Sequence, residues 1–425
     1  MAEPYRAMQR LLATGHHARP EDLPTLAMRI APDLDASAVV LYLVDYDQLN
    51  LMPMAGTGTP ARDPVPVDGT MPGRVFAVGR AHYGDPARVW LPLIDGTERL
   101  GVLEVVSRRS SRKRRTTDDA TLASAFAELI VARRVYGDAI EHTRRREPMQ
   151  VAAEIVWSLL PPLTFATDTV TVTGILEPCY DMGGDTFDYA VHGDVLHFAI
   201  FDAMGHGMAA STLTAMALSA YRNARRCGLD LLDSCKSVDK WIASQFPARF
   251  ATATFAELDT ATGVLRLISA GHPAALLLRD GRHVKTLPGP TYLPLGLGLD
   301  VEAPVVVEEA LEPGDQVLLY TDGVIEARTD TGEFFGVERL VDFIGRALAD
   351  KFSAPETMRR LVHAILAHQH EQLQDDASAL LVRWHPDTGA TAHPQLTGTS
   401  IRRRYPLPKV LRRLRTVMRR TGPAR

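Results

Sequence analysis

The sequence predicts an α+β protein made of more than one unit. Three observations carry this. The chain has 425 residues, enough for two or three domains of ordinary size. Its apolar β-type runs come in consecutive blocks, with helical stretches inserted as blocks rather than alternating strand by strand. Asp95-Gly96 and Asp280-Gly281 each separate two such runs, and Asp-Gly is a strong hairpin signal.

Taken in order, residues 20–31 read as a capped amphipathic helix. Residues 37–44 read as a strand, with 49–54 as its hairpin partner. The Pro/Gly/Thr-rich stretch 56–69 is a loop, and 71–78 a short helix. Residues 88–93 and 100–107 flank Asp95-Gly96 as paired strands. Six of the eight residues from Arg108 to Arg115 are basic and form a loop. A long helix is expected over 118–147, with a heptad-like seam of Leu122, Phe126, Leu129, Tyr136 and Ile140 that Arg133 interrupts. That seam suits a homodimer contact or packing on its own domain equally well. Pro148 ends the helix, and a second helix, 150–160, runs into Pro161-Pro162. Strands are then expected at 169–176, 195–201, 251–258, 264–269, 274–278, 316–320 and 379–382. Helices are expected near 208–227 and 354–374. Beyond Pro386 the composition predicts little packed structure.

Composition excludes several classes. Hydrophobic residues make up 46% and charged residues 23%, ordinary globular values. Apolar runs fall far short of the ~18 residues that suggest a membrane helix. Three cysteines, Cys179, Cys227 and Cys235, show no metal-binding or disulfide pattern, so a reducing, cytoplasmic setting is expected. The net charge of −4 conceals an asymmetry. Residues 401–425 carry nine Arg, one Lys and no acid; removing those ten from 47 leaves 37 basic against 51 acidic residues, or −14 for the rest. Such an acidic body excludes general nucleic-acid binding.

Four segments place an aspartate beside glycine or at a strand end. They are Met182-Gly183-Gly184-Asp185, Asp202-Ala203-Met204-Gly205-His206-Gly207, Thr321-Asp322-Gly323 and Asp375-Asp376. Strand ends are rigid, and glycine lets the backbone approach an ion closely. Carboxylates that converge need cations, and oxygen-only donors favour Mg²⁺ or Mn²⁺ over Zn²⁺.

In this order the segments resemble the protein phosphatase 2C-like (PPM) family, in its bacterial SpoIIE-type branch. The stretches that carry the resemblance are EPCYDMGGDTFD (177–188), AIFDAMGHGMAA (199–210), SAGHP (269–273), LLYTDGVIEAR (318–328) with Phe335-Gly336, and DDASALLVR (375–383), preceded by LLPP (159–162). Residues 20–140 are similar to a GAF domain, with MPGRVFAVGR (71–80) and LPLIDGTERLGVLEV (91–105) as the matching stretches. The resemblance implies a GAF-like sensor domain at 1–118, a helical linker at 119–162, a PPM-type α-β-β-α sandwich at 163–386 and a flexible basic tail at 387–425. It implies two Mn²⁺ or Mg²⁺ ions. One would be held by Asp185, Asp202 and the main-chain oxygen of Ala203, the other by Asp202, Asp322 and Asp375, with Asp376 the weaker candidate for the last place. These aspartates form the implied catalytic set. His206 lies four residues after Asp202, off the family's offset for a general acid, and otherwise shapes the turn into the next helix. His272 is expected to fix a loop between strands.

The implied function is a sensor-regulated phosphoserine/phosphothreonine protein phosphatase. Its implied substrate is a phosphorylated protein, of the STAS-domain anti-anti-sigma type used in partner switching. Two other classes stay open at this point: a catalytically silent binding module, and a metal-dependent phosphoesterase acting on small molecules. The tail's Val410, Leu414, Val417 and Met418 share one helical face among arginines. That pattern suits an anionic membrane, an acidic partner or a solvated tail.

Overall fold

A computed structural model describes residues 3–85, 87–108, 116–181, 183–297, 303–350, 352–369 and 375–386. Most of the basic loop, Met182 and the basic tail therefore lie outside the described residues.

The first half opens with α1 (Glu3–Gly15) and α2 (Leu23–Ile30), then β1 (Ala36–Val44), β2 (Asn50–Pro53) and β3 (Val65–Pro66). Helix α3 (Met71–Val78) precedes β4 (His82–Asp85), β5 (Arg88–Asp95) and β6 (Glu98–Ser107), followed by α4 (Thr116–Arg133) and α5 (Ala139–Arg144). The boundaries of α3 have local causes. Thr70 accepts a hydrogen bond from the Gly73 amide, and Gly79 ends the helix in the left-handed region at φ 68°. The six strands form one sheet in the order β3-β2-β1-β6-β5-β4. One face buries Val39, Leu41, Leu91 and Leu103 against α1, α2 and α4. The other packs Tyr42, Trp90 and Val102 against Val75 and Phe76 of α3.

The expected continuous helix over 118–147 is divided. A 3-10 turn at Arg134–Tyr136 and the extended Gly137 separate α4 from α5. Leu122, Phe126, Ile130 and Ile140 all enter the core beneath β1 and β6. The seam thus packs on its own domain, while Tyr136 is exposed. The chain bends at Gly137, and Ile140 of α5 still joins Phe126 of α4 in that core.

In the second half, α6 (Val151–Leu159), β7 (Thr164–Ala166), β8 (Val170–Glu177), β9 (Asp185–His192) and β10 (Val195–Ala203) come first. Helices α7 (Met208–Arg226) and α8 (Leu231–Gln245) follow. Next are β11 (Ala251–Asp259), β12 (Val264–Ala270), β13 (Leu276–Arg279), β14 (Arg282–Thr286), β15 (Val307–Ala310) and β16 (Gln316–Tyr320). The described chain closes with α9 (Asp322–Ile325), α10 (Gly336–Ala349), α11 (Ala354–His368) and β17 (Ala377–Trp384). Two sheets result, β15-β12-β11-β10-β9 and β14-β13-β16-β17-β8-β7. Phe187, Phe198 and Leu258 of the first meet Val172, Leu319 and Leu380 of the second in a shared core. Helices α7 and α8 cover the outer face of the first sheet through Leu213, Tyr221 and Ile242. Helices α10 and α11 cover that of the second through Leu340, Ile344, Met358 and Leu361.

The halves meet at the turn between β1 and β2. Tyr46 lies edge-on to Trp157 of α6, with ring centroids 4.7 Å apart, and near Tyr180 at 6.3 Å. Arg146 pairs with Asp45 and Asp47, and its amide donates to the Tyr180 hydroxyl at 3.1 Å. From α11, His363 reaches the Asp47 carbonyl at 3.3 Å and Arg359 the Gln48 carbonyl at 3.4 Å. Arg359, only 1% exposed in its side chain, also pairs with Glu356 and with Asp68 of the first half.

Candidate metal centre

Four element ends from two sheets converge. Asp185 opens β9 and Asp202 lies near the end of β10, directly opposite it in the antiparallel register. Asp322 follows β16 as the first residue of α9. Asp375 and Asp376 lead into β17, the neighbour of β16. Thr321 ties these pieces together. Its hydroxyl donates to Asp185 Oδ2 at 2.7 Å, and its amide to the Ser378 carbonyl at 2.9 Å.

The loop before Asp185 has no room for side chains. A Cβ on Gly184 would stand 2.4 Å from the Ala203 carbonyl oxygen, and one on Gly183 2.4 Å from Asp376 Oδ2. Real Cβ atoms do not approach so closely, and glycine is what lets the two backbones touch. Asp376 is occupied by this loop: its carboxylate accepts from the Gly183 amide at 2.9 Å and the Asp185 amide at 3.4 Å. Asp375, by contrast, is exposed and its charge acts on Asp202 and Asp322.

The electrostatics mark a site short of positive charge. Burial, and then the charges of Asp202 and Asp376, raise the Asp185 carboxyl well above the usual carboxylate range. Burial, reinforced by Asp322, Asp375 and Asp376, raises Asp202 to about 7. Asp322 is raised by burial and by Asp375. Like charges held together in a partly buried place disfavour ionisation unless a cation enters. Oxygen donors, mutual repulsion and the glycine cradle fit a hard divalent ion. Among the described residues no three acidic, histidine or cysteine groups close on one ion unaided.

The structure thus brings together Asp185, Asp202, Asp322 and Asp375, with the Ala203 carbonyl against Gly184. His206 sits exposed between Gly205 and Gly207, which have φ of 86° and 74°. His272 is buried, and burial lowers its imidazole to about 3. Its Nδ1 shares a 2.8 Å hydrogen bond with Thr252, which donates onward to Asp202 at 3.4 Å. It therefore orients a site residue as well as a loop. Sequence reasoning missed Thr252 and Thr321, and also Ser211 and Thr214, whose hydroxyls hold the Gly183 and Gly184 carbonyls. Thr321 stands next to Asp322, which was its only visible signal. Cys179 is buried, and burial with the neighbouring Glu177 pushes its thiol far up, so it fills space.

Comparison with known proteins follows the same lines. The family description "Stage II sporulation protein E (SpoIIE)" matches residues 192–385, a span holding Asp202, Asp322 and Asp375 but beginning after Asp185. Phosphoserine phosphatase RsbU of Bacillus subtilis is 23% identical over 239 residues, covering 56% of this chain and 70% of that protein. Phosphoserine phosphatase RsbP of the same organism is 26% identical over 233 residues, covering 53% of this chain and 54% of that one. The PP2C domain of SiaA from Pseudomonas aeruginosa, a solved structure, is 22% identical with a TM-score of 0.47, covering 55% of this chain and 94% of that one. The chain spans only about half of RsbP. The second half of this chain belongs to the SpoIIE-type, protein phosphatase 2C-like family.

Proposed function

We propose that the chain is a divalent-metal-dependent phosphoserine/phosphothreonine protein phosphatase regulated by its first half. The observation that carries this is the convergence of four carboxylates from four element ends, with Asp185 and Asp202 raised by burial and then by the charges of neighbouring aspartates. Asp185, Asp202 and the Ala203 carbonyl would hold one Mn²⁺ or Mg²⁺ ion; Asp202, Asp322 and Asp375 would hold a second. Such ions supply Lewis acidity for attack by water on a phosphate ester. Thr252 and Thr321 orient Asp202 and Asp185, and Asp376 keeps the glycine loop in place. The layered sheets and helices support reading this half as the α-β-β-α sandwich of the PPM type.

Two relatives named phosphoserine phosphatases support a phosphoprotein substrate, and the family resemblance points to a STAS-domain anti-anti-sigma protein in partner switching. Regulation is supported by where the β1–β2 turn rests. Tyr180, which meets Tyr46, lies five residues before Asp185 on the same connection. The strand order and the α3 cover support a GAF-like reading of the first half.

The test is hydrolysis of p-nitrophenyl phosphate with Mn²⁺ or Mg²⁺, then of a phosphorylated STAS-domain protein. Asp202→Ala should abolish both, since one residue serves both ions. Retention of even about a tenth of the parent turnover at saturating Mn²⁺ would overturn the site. Hydrolysis of p-nitrophenyl phosphate without any phosphoprotein activity would favour a small-molecule phosphoesterase.

A further inference from the structure

A cavity of about 1000 Å³ lies between the two halves, away from the aspartates. One wall is the outer face of α3 and the residue after its cap. Met71, Arg74 and Val78 recur there at helical spacing, and Arg80 follows Gly79. The floor includes Thr97 of the β5–β6 turn. The opposite wall is Phe352 and the start of α11, with Glu356 and Arg360.

The charges in this cavity do not balance. Glu356 is already shared by Arg99, Arg359 and Arg360, and Asp68 is taken by Arg359. Among the described residues Arg74 and Arg80 have no acidic partner. Two guanidinium groups are thus free to grip an anion by paired hydrogen bonds. Beside them, Met71 and Val78 are 39% and 52% exposed and offer apolar contact area next to the two guanidinium groups. Thr97 is only 7% exposed, yet its hydroxyl has no hydrogen-bond partner. Buried hydroxyls are nearly always satisfied, so this one waits for an acceptor or donor. The volume is at the upper end for small-molecule sites, and such sites favour domain boundaries.

The geometry points to an effector site for a small organic anion, one with an apolar body and a carboxylate, phosphate or sulfonate head. The head would meet Arg74, Arg80 and Thr97; the body would cover Met71, Val78 and Phe352. Because the walls come from both halves, an occupant would brace them against each other. This inference stands whether or not the second half is a phosphatase.

Two dyes sharing one aromatic skeleton test it on the full chain. 8-Anilinonaphthalene-1-sulfonate carries the anionic head, and N-phenyl-1-naphthylamine lacks it. Fluorescence titration should show saturable one-to-one binding of the sulfonate, at least about tenfold tighter than of the neutral dye. The double variant Arg74→Gln/Arg80→Gln should remove that advantage without lowering the melting temperature, since both side chains are exposed and unpaired. Thr97→Val should weaken sulfonate binding several-fold while leaving the melting temperature unchanged or higher, because it removes an unsatisfied buried hydroxyl. Equal affinity for the two dyes, sulfonate binding undisturbed in the double variant, or no saturable binding up to about 1 mM would each overturn the proposal.

Discussion

Replacing Glu356 by Gln tests how the halves are held together. Glu356 is 2% exposed and accepts from Arg359 at 2.9 and 2.8 Å, from Arg99 at 3.1 Å and from Arg360 at 2.7 Å. Arg99 and Arg359 are themselves only 8% and 1% exposed in their side chains. In Glu356→Gln, Arg359 keeps Asp68, but Arg99 is left with neutral acceptors, the Gln48 amide oxygen and the Ala77 carbonyl. Uncovering a buried charge in this way costs about 3–5 kcal/mol. A second route gives a similar figure. Burial alone would raise the Glu356 carboxyl, but the hydrogen bonds from Arg359 and the charges of Arg99 and Arg359 outweigh it and hold it at about 2 against a usual 4.5. That drop corresponds to about 3 kcal/mol. The control is Asp68→Asn. Asp68 is 64% exposed in its side chain, so its pair with Arg359 is worth at most about 1 kcal/mol. Urea unfolding of the full chain, followed by tryptophan fluorescence, reads both. A loss for Glu356→Gln no larger than for Asp68→Asn would refute the reasoning. The acid side provides a cross-check. A carboxyl held low contributes its stability above its unfolded pKa and loses it as pH falls. The gap between parent and Glu356→Gln should therefore close between pH 4.5 and 2.

Without metal, the raised carboxyls of Asp185 and Asp202 give the opposite slope. Groups raised on folding stabilise below their unfolded pKa and lose that contribution as pH rises through the folded value, about 7 for Asp202. In chelator the melting temperature should fall as pH rises from about 5 to about 8, and Mn²⁺ or Mg²⁺ should restore it above 7; a flat, metal-indifferent profile counts against the site. Gly184→Ala would set a Cβ 2.4 Å from the Ala203 carbonyl oxygen, costing about 1–3 kcal/mol by overpacking and nearly all hydrolysis, so parent-like turnover would show the cradle to be unimportant. Tyr46→Ala leaves every aspartate in place but empties the contact with Trp157 and Tyr180; kcat toward p-nitrophenyl phosphate should change several-fold, and unchanged kinetics would reduce the turn to a passive tether.

Much of the centre was legible because apolar runs announce the strands that deliver its residues. β10 carries Asp202 one residue before its end and β16 leads through Thr321 to Asp322, as their sequences imply. Helix α3 was legible to its boundaries, since Thr70, Pro72 and Gly79 are local signals. Strand β9 was not, because DTFDYAVH carries two acids and no clean alternation. Its Asp188 is buried only because Arg222 and Arg225 of α7 meet it, a pairing that no local pattern reveals. The bend after α4 had a local signal that the heptad-like spacing masked: Gly137, followed by Asp138, separates the 3-10 turn from α5. Thr252 and His272 are ordinary residues until the fold sets one beside Asp202 and the other behind it.

The turn between β1 and β2 has a bearing on how such chains can be recombined. In three consecutive residues, Tyr46 to Gln48, it presents a ring to Trp157 and Tyr180, a carbonyl to His363 and another to Arg359. Those receivers belong to three separate stretches of the second half, and Asp68 adds a fourth handhold from a different loop. The halves are therefore co-adapted parts rather than interchangeable cassettes. A front half grafted from another protein would attach by the linker yet find nothing to grip, unless its own first hairpin offered an aromatic ring and two free carbonyls at the same height. Engineering a new input onto this catalytic half means transplanting residues 45–48 along with it.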